Sequence, residues 1–353
     1  MTRQSRVPAQ LALTVPDSAM ATAAMLRVAL FGVAHWHSRL HLDAFVRAGA
    51  EIVALGDADA AASVSYAPDV DCPRYSSIDA MLDECRPGFV MIMGTPSAML
   101  ANAERLIDSS IPFGVEKPLG RNAGEGAVLA HRATVKNLFA TVPLVNRYSR
   151  LWQQLSGSAP PNGHVTPLHA HFRILNGHPG RYRRDGVGWV LDPEVHGGGA
   201  LRNLGIHAAD AFLHLCRGDA YAVMAAATHD SGHAERVECY GVALLRSTGG
   251  CLATIEAGYT YPTWAAGGDF EWRIATPEAY IIDRNETLSV ASSDMTTAST
   301  EANATQEERY EAFAADVVDR LTAGLPPLVS LLDAVRAMEL IDQIYLAAEG
   351  TRR

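Results

Sequence analysis

Two side chains in this sequence have the type and setting to move a proton. Lys117 stands in Glu116-Lys117-Pro118, directly after the apolar run Ile111–Val115. Lys117 and Lys136 are the only lysines, so the chain otherwise uses arginine for its positive charges. A compact ammonium has a tunable pKa and can polarise a hydroxyl, whereas guanidinium stays protonated. His207 lies in an apolar stretch spanning about 200–216, crossed by a polar stripe of Asn203, His207, Asp210 and His214. Spacings of four, three and four put these residues on one face of a helix. An imidazole titrates nearest neutrality, which makes His207 the natural proton acceptor.

These residues need elements to hold them. From Leu26 to Val142, strand-like and helix-like runs alternate, beginning with Leu26–Phe31 and a helix ending near Ala48. Glu51–Leu55, Phe89–Met93, Ile111–Val115 and Leu138–Val142 continue the strands; about 77–85, 98–107 and 123–135 read as helices. This rhythm predicts a parallel sheet with right-handed crossovers. After Tyr148 the rhythm changes. A Gly/Pro/Arg-rich loop, 176–199, precedes the 200–216 helix, and strand-like runs then follow one another without helices. That pattern predicts a mostly antiparallel sheet with one face open. Helices about 307–321 and 331–348 finish the chain, the second with Gly350 as its cap. The expected fold is α/β, a doubly wound parallel sheet followed by a domain with a large, mostly antiparallel open sheet. The expected boundaries are an extension at 1–25, a first domain at 26–148, a second at 149–325, and a C-terminal helix at 326–353.

The first strand–turn–helix reads Gly32-Val33-Ala34-His35-Trp36-His37, where a dinucleotide fingerprint would read G-x-G-x-x-G. Gly32 suits the tight turn, and Ala34 is small enough for close approach to a pyrophosphate. His37 does not suit the third, close-packed position. Asp57 ends the second strand, where a carboxylate can accept from ribose hydroxyls, although an ordinary turn aspartate would look the same. Ala58 offers no charge to a 2′-phosphate, which favours NAD over NADP.

The net charge of −10 argues against nucleic acid or an anionic membrane as partner. No apolar run is long enough to span a bilayer. Five scattered cysteines without a C-x-x-C pair fit reduced thiols in the cytoplasm. Arg3 and Arg6 precede a mildly apolar stretch, but Pro8, Pro16 and Asp17 interrupt it. A loose arm or a mis-assigned start is therefore expected in place of an export signal. His35, His37 and His41, or His169 and His171, have metal-ligand types. Histidines two apart on a helix do not converge, so no metal is expected. Arg181-Tyr182-Arg183-Arg184 could clamp a carboxylate or phosphate, with a solvated loop as the alternative.

At this point the chain, over about 26–349, resembles the Gfo/Idh/MocA oxidoreductases. The resemblance rests on Gly32, Asp57, Thr95-Pro96 and Glu116-Lys117-Pro118-Leu119. It continues through Trp189 ahead of Asp192-Pro193-Glu194, and Gly197-Gly198-Gly199-Ala200-Leu201 with Asn203, Gly205, His207 and Asp210. It implies a Rossmann domain and a second α/β domain whose open sheet mediates oligomerisation, with the last helix packing back on the first domain. It gives Lys117 the role of binding and polarising the reacting oxygen and His207 that of acid/base. Asn203 stands where the family often has an aspartate supporting the histidine, and Leu100 where a histidine often occurs. The implied cofactor is NAD, NADP less so, held by Gly32, Ala34, His35, Trp36, His37, Asp57, Thr95, Pro96, Glu116 and Lys117. The implied substrate is a polyol or sugar met by Lys117, Tyr148, Arg183, Trp189, Asn203 and His207. The chain is expected to be a homodimer or homotetramer built through an apolar sheet face. A sensor without turnover, or an NAD-dependent glycoside-cleaving enzyme, remains open at this stage.

Overall fold

The computed structural model describes residues 25–157, 165, 167–230, 236–259 and 268–351. Nearly all of the expected N-terminal extension lies outside them. The first half forms β1 (Arg27–Phe31), α1 (Ser38–Arg47), β2 (Glu51–Gly56), α2 (Ala60–Ser65), β3 (Arg74–Tyr75) and α3 (Ile78–Cys85). It continues with β4 (Phe89–Ile92), α4 (Pro96–Asp108), β5 (Phe113–Val115), α5 (Ala123–Val135) and β6 (Ala140–Thr141). The strands make one parallel sheet in the order β3-β2-β1-β4-β5-β6. That is the doubly wound order whose switch point lies between β1 and β4. Both faces are covered, so the central strands are apolar over most of their length. In β1, Val28 and Leu30 enter one core and Ala29 and Phe31 the other; in β4, Phe89 and Met91 oppose Val90 and Ile92 in the same way.

The second half opens with α6 (Arg150–Gly157), β7 (His169–Leu175), α7 (Gly180–Arg184) and α8 (Pro193–His196), then α9 (Ile206–Leu215). Seven strands follow: β8 (Tyr221–His229), β9 (Tyr240–Ser247), β10 (Leu252–Gly258), β11 (Asp269–Ala275), β12 (Ala279–Arg284), β13 (Thr287–Ser292) and β14 (Ala298–Ala302). With β7 they form an eight-stranded sheet, β14-β13-β12-β11-β7-β10-β9-β8, antiparallel except for the β7–β10 pair. Alternation decides its faces. Phe172, Trp272, Ile274, Ile255, Ala253 and Leu245 are buried, and α9 packs against β7 and β10. The outward face is not the apolar surface expected from the strand count. Leu244, Leu252 and Tyr280 are exposed there. Beside them runs a ladder of charges: Arg173 with Asp269 (2.8 Å), and Arg273 and Arg284 with Glu271 (2.7 and 3.5 Å).

Several elements escaped the sequence reading because they are short or polar: α2, β3, α6, β13 and β14. Gly350 does not cap the last helix, α11 (Leu331–Thr351), which continues through it. The largest departure concerns α10 (Gln306–Ala323), which the sequence reading groups with the second domain. It packs along α1, bringing Tyr310, Phe313 and Val317 into the core beneath the first sheet. The helix α11 contacts α5 on one side and α9 and β8 on the other, and so bridges the two sheets.

Candidate active site

The carboxyl ends of β1, β2, β4 and β5 converge on one edge of the parallel sheet. Gly32 turns the chain there at φ +91°, and a Cβ at that position would run into the Met93 carbonyl. Only glycine fits, for steric as well as conformational reasons. The amides of Gly32 and Val33 donate to the Gly56 carbonyl at 2.8 and 3.2 Å. Asp57 latches the same turn: its Oδ2 accepts from Ala34 N at 2.8 Å and its Oδ1 from Asp59 N at 2.9 Å. Thr95 and Pro96 open α4 at the end of β4.

His37, in the third fingerprint position, is not packing filler. Its Nδ1 lies 3.1 Å from Glu116 Oε1, and His41 Nε2 meets the same oxygen at 2.8 Å. Tyr310 OH stands 3.0 Å from His37 Nδ1 and 3.5 Å from Glu116 Oε1, while Glu116 Oε2 accepts from Lys117 N at 3.1 Å. Burial alone would push the Glu116 carboxyl up; the His37 and His41 imidazoles outweigh it and hold it well below the usual range. Glu116 is fully buried and anchors this network. Burial lowers the pKa of His35 and His37.

Contrary to the expectation from spacing, His35 and His37 do converge. They sit in the turn before α1, where the helical rule does not apply, and with Glu116 they bring ligand-type atoms within 4.8 Å of one another. Hydrogen bonding nevertheless disfavours a cation. His35 Nδ1 accepts from His37 N at 3.2 Å, which puts the ring proton on Nε2, the nitrogen a cation would need. That Nε2–H is buried and has no acceptor among the described residues.

Lys117 follows β5 and is buried, with Nζ 6.0 Å from the Trp36 ring. It donates to Asn203 Oδ1 at 2.7 Å and to the Asn203 carbonyl at 3.0 Å. Burial lowers its pKa to about 8, against the attraction of Glu116. Asn203 Nδ2 donates to Tyr182 OH at 2.9 Å. Asn203 therefore holds the lysine, and a bond from Asn203 to the imidazole is not made: among the described residues His207 Nδ1 is buried without a partner. Burial and Lys117 lower the His207 pKa to about 3.

The polar stripe itself is broken, because residues Leu201–Gly205 form a π-helical turn before α9. The extra residue per turn rotates Asn203 away from the register of a continuous α-helix; such turns recur at functional sites. Asp210 instead pairs with Arg147 at 2.5 Å, and His214 stacks edge-on against Trp152. Glu238 caps the start of this segment, accepting from Gly199 N and Leu201 N at 2.8 and 3.0 Å.

Trp189 lies in the 3₁₀ segment Gly188–Leu191, its ring 5.9 Å from Trp36 and 6.3 Å from His35. Tyr182 closes this aromatic wall at 6.1 Å from Trp36. Two expected substrate residues sit elsewhere. Tyr148 donates to Asp316 on α10 at 3.0 Å and packs on Phe313, and Arg183 is exposed on α7. In the arginine-rich segment the residue that enters the site is Tyr182, masked in sequence by its charged neighbours. Tyr310 was equally hidden, since with Phe313, Ala314 and Val317 it reads as the apolar face of a helix.

Residues 163–281 match the family model described as the GFO/IDH/MocA C-terminal domain. No curated protein matches the chain in sequence. Among solved structures, an Agrobacterium radiobacter oxidoreductase in complex with NAD+, L-tartaric acid and magnesium is similar, with TM-score 0.80 and 19% identity over 93% of this chain and 97% of that one. UDP-N-acetylglucosamine 3-dehydrogenase GnnA from Acidithiobacillus ferrooxidans gives 0.78 and 20%, covering 94% and 100%. The WlbA dehydrogenase from Bordetella pertussis, in complex with NADH and UDP-GlcNAcA, gives 0.75 and 18%, covering 93% and 97%. Among the described residues no helix is long and apolar enough to cross a membrane. The six-stranded parallel sheet and the eight-stranded sheet, the latter largely within the matched residues 163–281, together make the fold that this chain shares with these structures.

Proposed function

We propose that the protein is an NAD-dependent oxidoreductase acting on a secondary alcohol or ketone of a sugar, cyclitol or sugar derivative. The observation that carries this reading is the placement of Lys117. It is buried, held on two oxygens of Asn203, and set at the carboxyl edge of a doubly wound sheet beside a fingerprint turn that only glycine can make. Ligands bind at that edge in such sheets.

The residues present suit a dinucleotide. The turn from Gly32 to Trp36 would face the pyrophosphate, with the orphaned His35 Nε2–H as an additional donor, and Asp57 would face the adenosine ribose. Thr95, Pro96 and Lys117 would border the nicotinamide, which when bound supplies the hydride acceptor. Lys117 would hold the reacting oxygen, while Trp36, Trp189 and Tyr182 exclude water and His207 offers the substrate a neutral imidazole. The similar structures with NAD+, NADH and UDP-sugar names support the cofactor and the substrate class. A cytoplasmic homodimer or homotetramer assembled through the outward face of the eight-stranded sheet belongs to the same proposal.

The test is a screen of polyols, sugars, sugar acids and nucleotide sugars with NAD and NADP, read at the NADH absorbance band. Turnover that falls about 10²–10⁴-fold in Lys117→Met with NAD affinity retained is the expected result. Absence of turnover with every candidate, despite tight NAD binding, would favour the sensor reading. The unsupported His207 imidazole is the observation on that side.

A further inference from the structure

We propose that Lys117, rather than His207, takes the proton of the reaction, and that Tyr182 is the positioning residue that fixes it through Asn203. The inference deepens the hydride-transfer reading and rests on it for the substrate.

The geometry of the lysine carries the argument. Among the described residues Nζ donates to two oxygens of one residue, the Asn203 carbonyl at 3.0 Å and Oδ1 at 2.7 Å. A neutral amine has two N–H bonds, so these oxygens satisfy both and leave the lone pair directed away from Asn203. In the ammonium the third N–H takes that direction. The same cradle therefore serves both protonation states, and an oxygen placed opposite Asn203 meets a base or an acid accordingly.

Tyr182 braces the cradle from the far side. Asn203 Nδ2 donates to Tyr182 OH at 2.9 Å, and Asn176 Nδ2 donates to the same hydroxyl at 3.2 Å. Asn176 is oriented in turn by Arg181, whose Nη1 donates to Asn176 Oδ1 at 2.6 Å. Lys117 Nζ donates to Asn203 Oδ1, which sets the amide with its oxygen toward the lysine, and the Tyr182 hydroxyl then accepts from the remaining Nδ2.

The surroundings act in the same sense. The groups facing Lys117 are Glu116 beyond β5, His35 and His37 in the turn after β1, His196 on α8 and His207. Glu116 is engaged by two imidazoles and Tyr310, and burial keeps the lysine near pH 8. An amide at Asn203 leaves that balance in place, whereas a carboxylate would lock the ammonium. Among the described residues no carboxylate hydrogen-bonds to His207, and the pull of Glu116 on it is outweighed by burial and Lys117.

In the oxidative direction the substrate O–H bond breaks and its proton goes to the neutral Lys117 amine. The adjacent C–H bond breaks with its electron pair going to the oxidised nicotinamide. A C=O bond forms, and the reverse reaction returns both. The substrate is oxidised and the nicotinamide reduced.

The chain has only Lys117 and Lys136, so isotope labelling of lysine at the side-chain nitrogen gives two signals, with Lys136→Arg assigning them. The Lys117 signal is expected to titrate near pH 8 in the free protein, a readout that needs neither substrate nor turnover. Asn203→Asp should raise that midpoint and move the lower limb of the kcat/KM profile to higher pH. Tyr182→Phe removes the acceptor that steadies Asn203. It should lower kcat about tenfold with KM within about twofold, and shift the limb to lower pH because the ammonium loses part of its hydrogen bonding. A merely structural role for Tyr182 would reduce the yield of folded protein and leave the limb where it is. A Lys117 signal that stays charged to pH 10 overturns the proposal, as does a limb that disappears in His207→Gln and ignores Asn203→Asp. If no candidate substrate turns over, the functional reading fails, and the lysine titration still decides whether Lys117 has the proton chemistry proposed.

Discussion

His37 Nδ1 stands 3.1 Å from Glu116 Oε1, so the residue in the third fingerprint position ties the first turn of the sheet to the end of β5. His41 and Tyr310 complete the tie from α1 and α10. A buried carboxylate with these partners is costly to disturb, because removing its charge leaves oriented donors around a weaker acceptor. Glu116→Gln should therefore destabilise the protein by about 3 kcal/mol, read as a lower denaturant midpoint, and loosen the contact of α10 with α1. An unchanged midpoint would show that the network contributes nothing to the fold.

Asp57 has two jobs that one variant separates. Its oxygens hold the amides of Ala34 and Asp59, and on the proposed reading its charge would face the 2′-phosphate of NADP. Calorimetry should find NAD bound more tightly than NADP by the wild type. Asp57→Ala should weaken NAD, because the turn loses its latch, and narrow the difference between the two cofactors. Stronger NADP binding by the wild type would refute the assignment.

Acid should destabilise the fold well above the carboxylate range. Burial lowers the pKa of His196 to about 3 and that of His35 well below its ordinary value. The unfolded chain thus binds protons that the folded one refuses, and stability present above about pH 6.5 is lost as pH falls. At pH 5.5 His196 alone costs about 1.4 kcal/mol, and the other histidines buried neutral add to it in the same direction. Urea midpoints at pH 7.5 and 5.5 measure this. In His196→Asn the amide can replace the Nδ1–H bond to the Gly198 carbonyl, so the share of the acid sensitivity due to His196, about 1.4 kcal/mol, should vanish. Equal midpoints at both pH values would contradict neutral burial.

The outward face of the eight-stranded sheet combines exposed Leu244, Leu252 and Tyr280 with a ladder of paired charges. A face of that composition, buried against a second copy, should give a dimer or tetramer whose dissociation depends on salt, since ion pairs near a surface are screened. Light scattering at micromolar concentration in low and high salt tests it. A monomer under both conditions excludes the interface.

Much of the framework was legible in the sequence because its signals are local. Period-two alternation in the strands, apolar runs at the sheet centre, Gly32 at a turn and the composition of α5 each act over a few residues. Lys117 could be singled out because it is rare and sits at a strand end. Tertiary structure decided the rest. The π-helical turn at Leu201–Gly205 is a matter of one extra residue whose effect appears only in three dimensions, and it moved Asn203 from the histidine to the lysine. The placement of α10 on α1, and with it Tyr310 against Glu116, is a contact between residues 194 positions apart that no local pattern encodes. Tyr182 reaches Asn203 across 21 positions from a helix that reads as a solvated arginine loop. Sequence determined which side chains are able to do chemistry; packing between distant segments determined which of them meet.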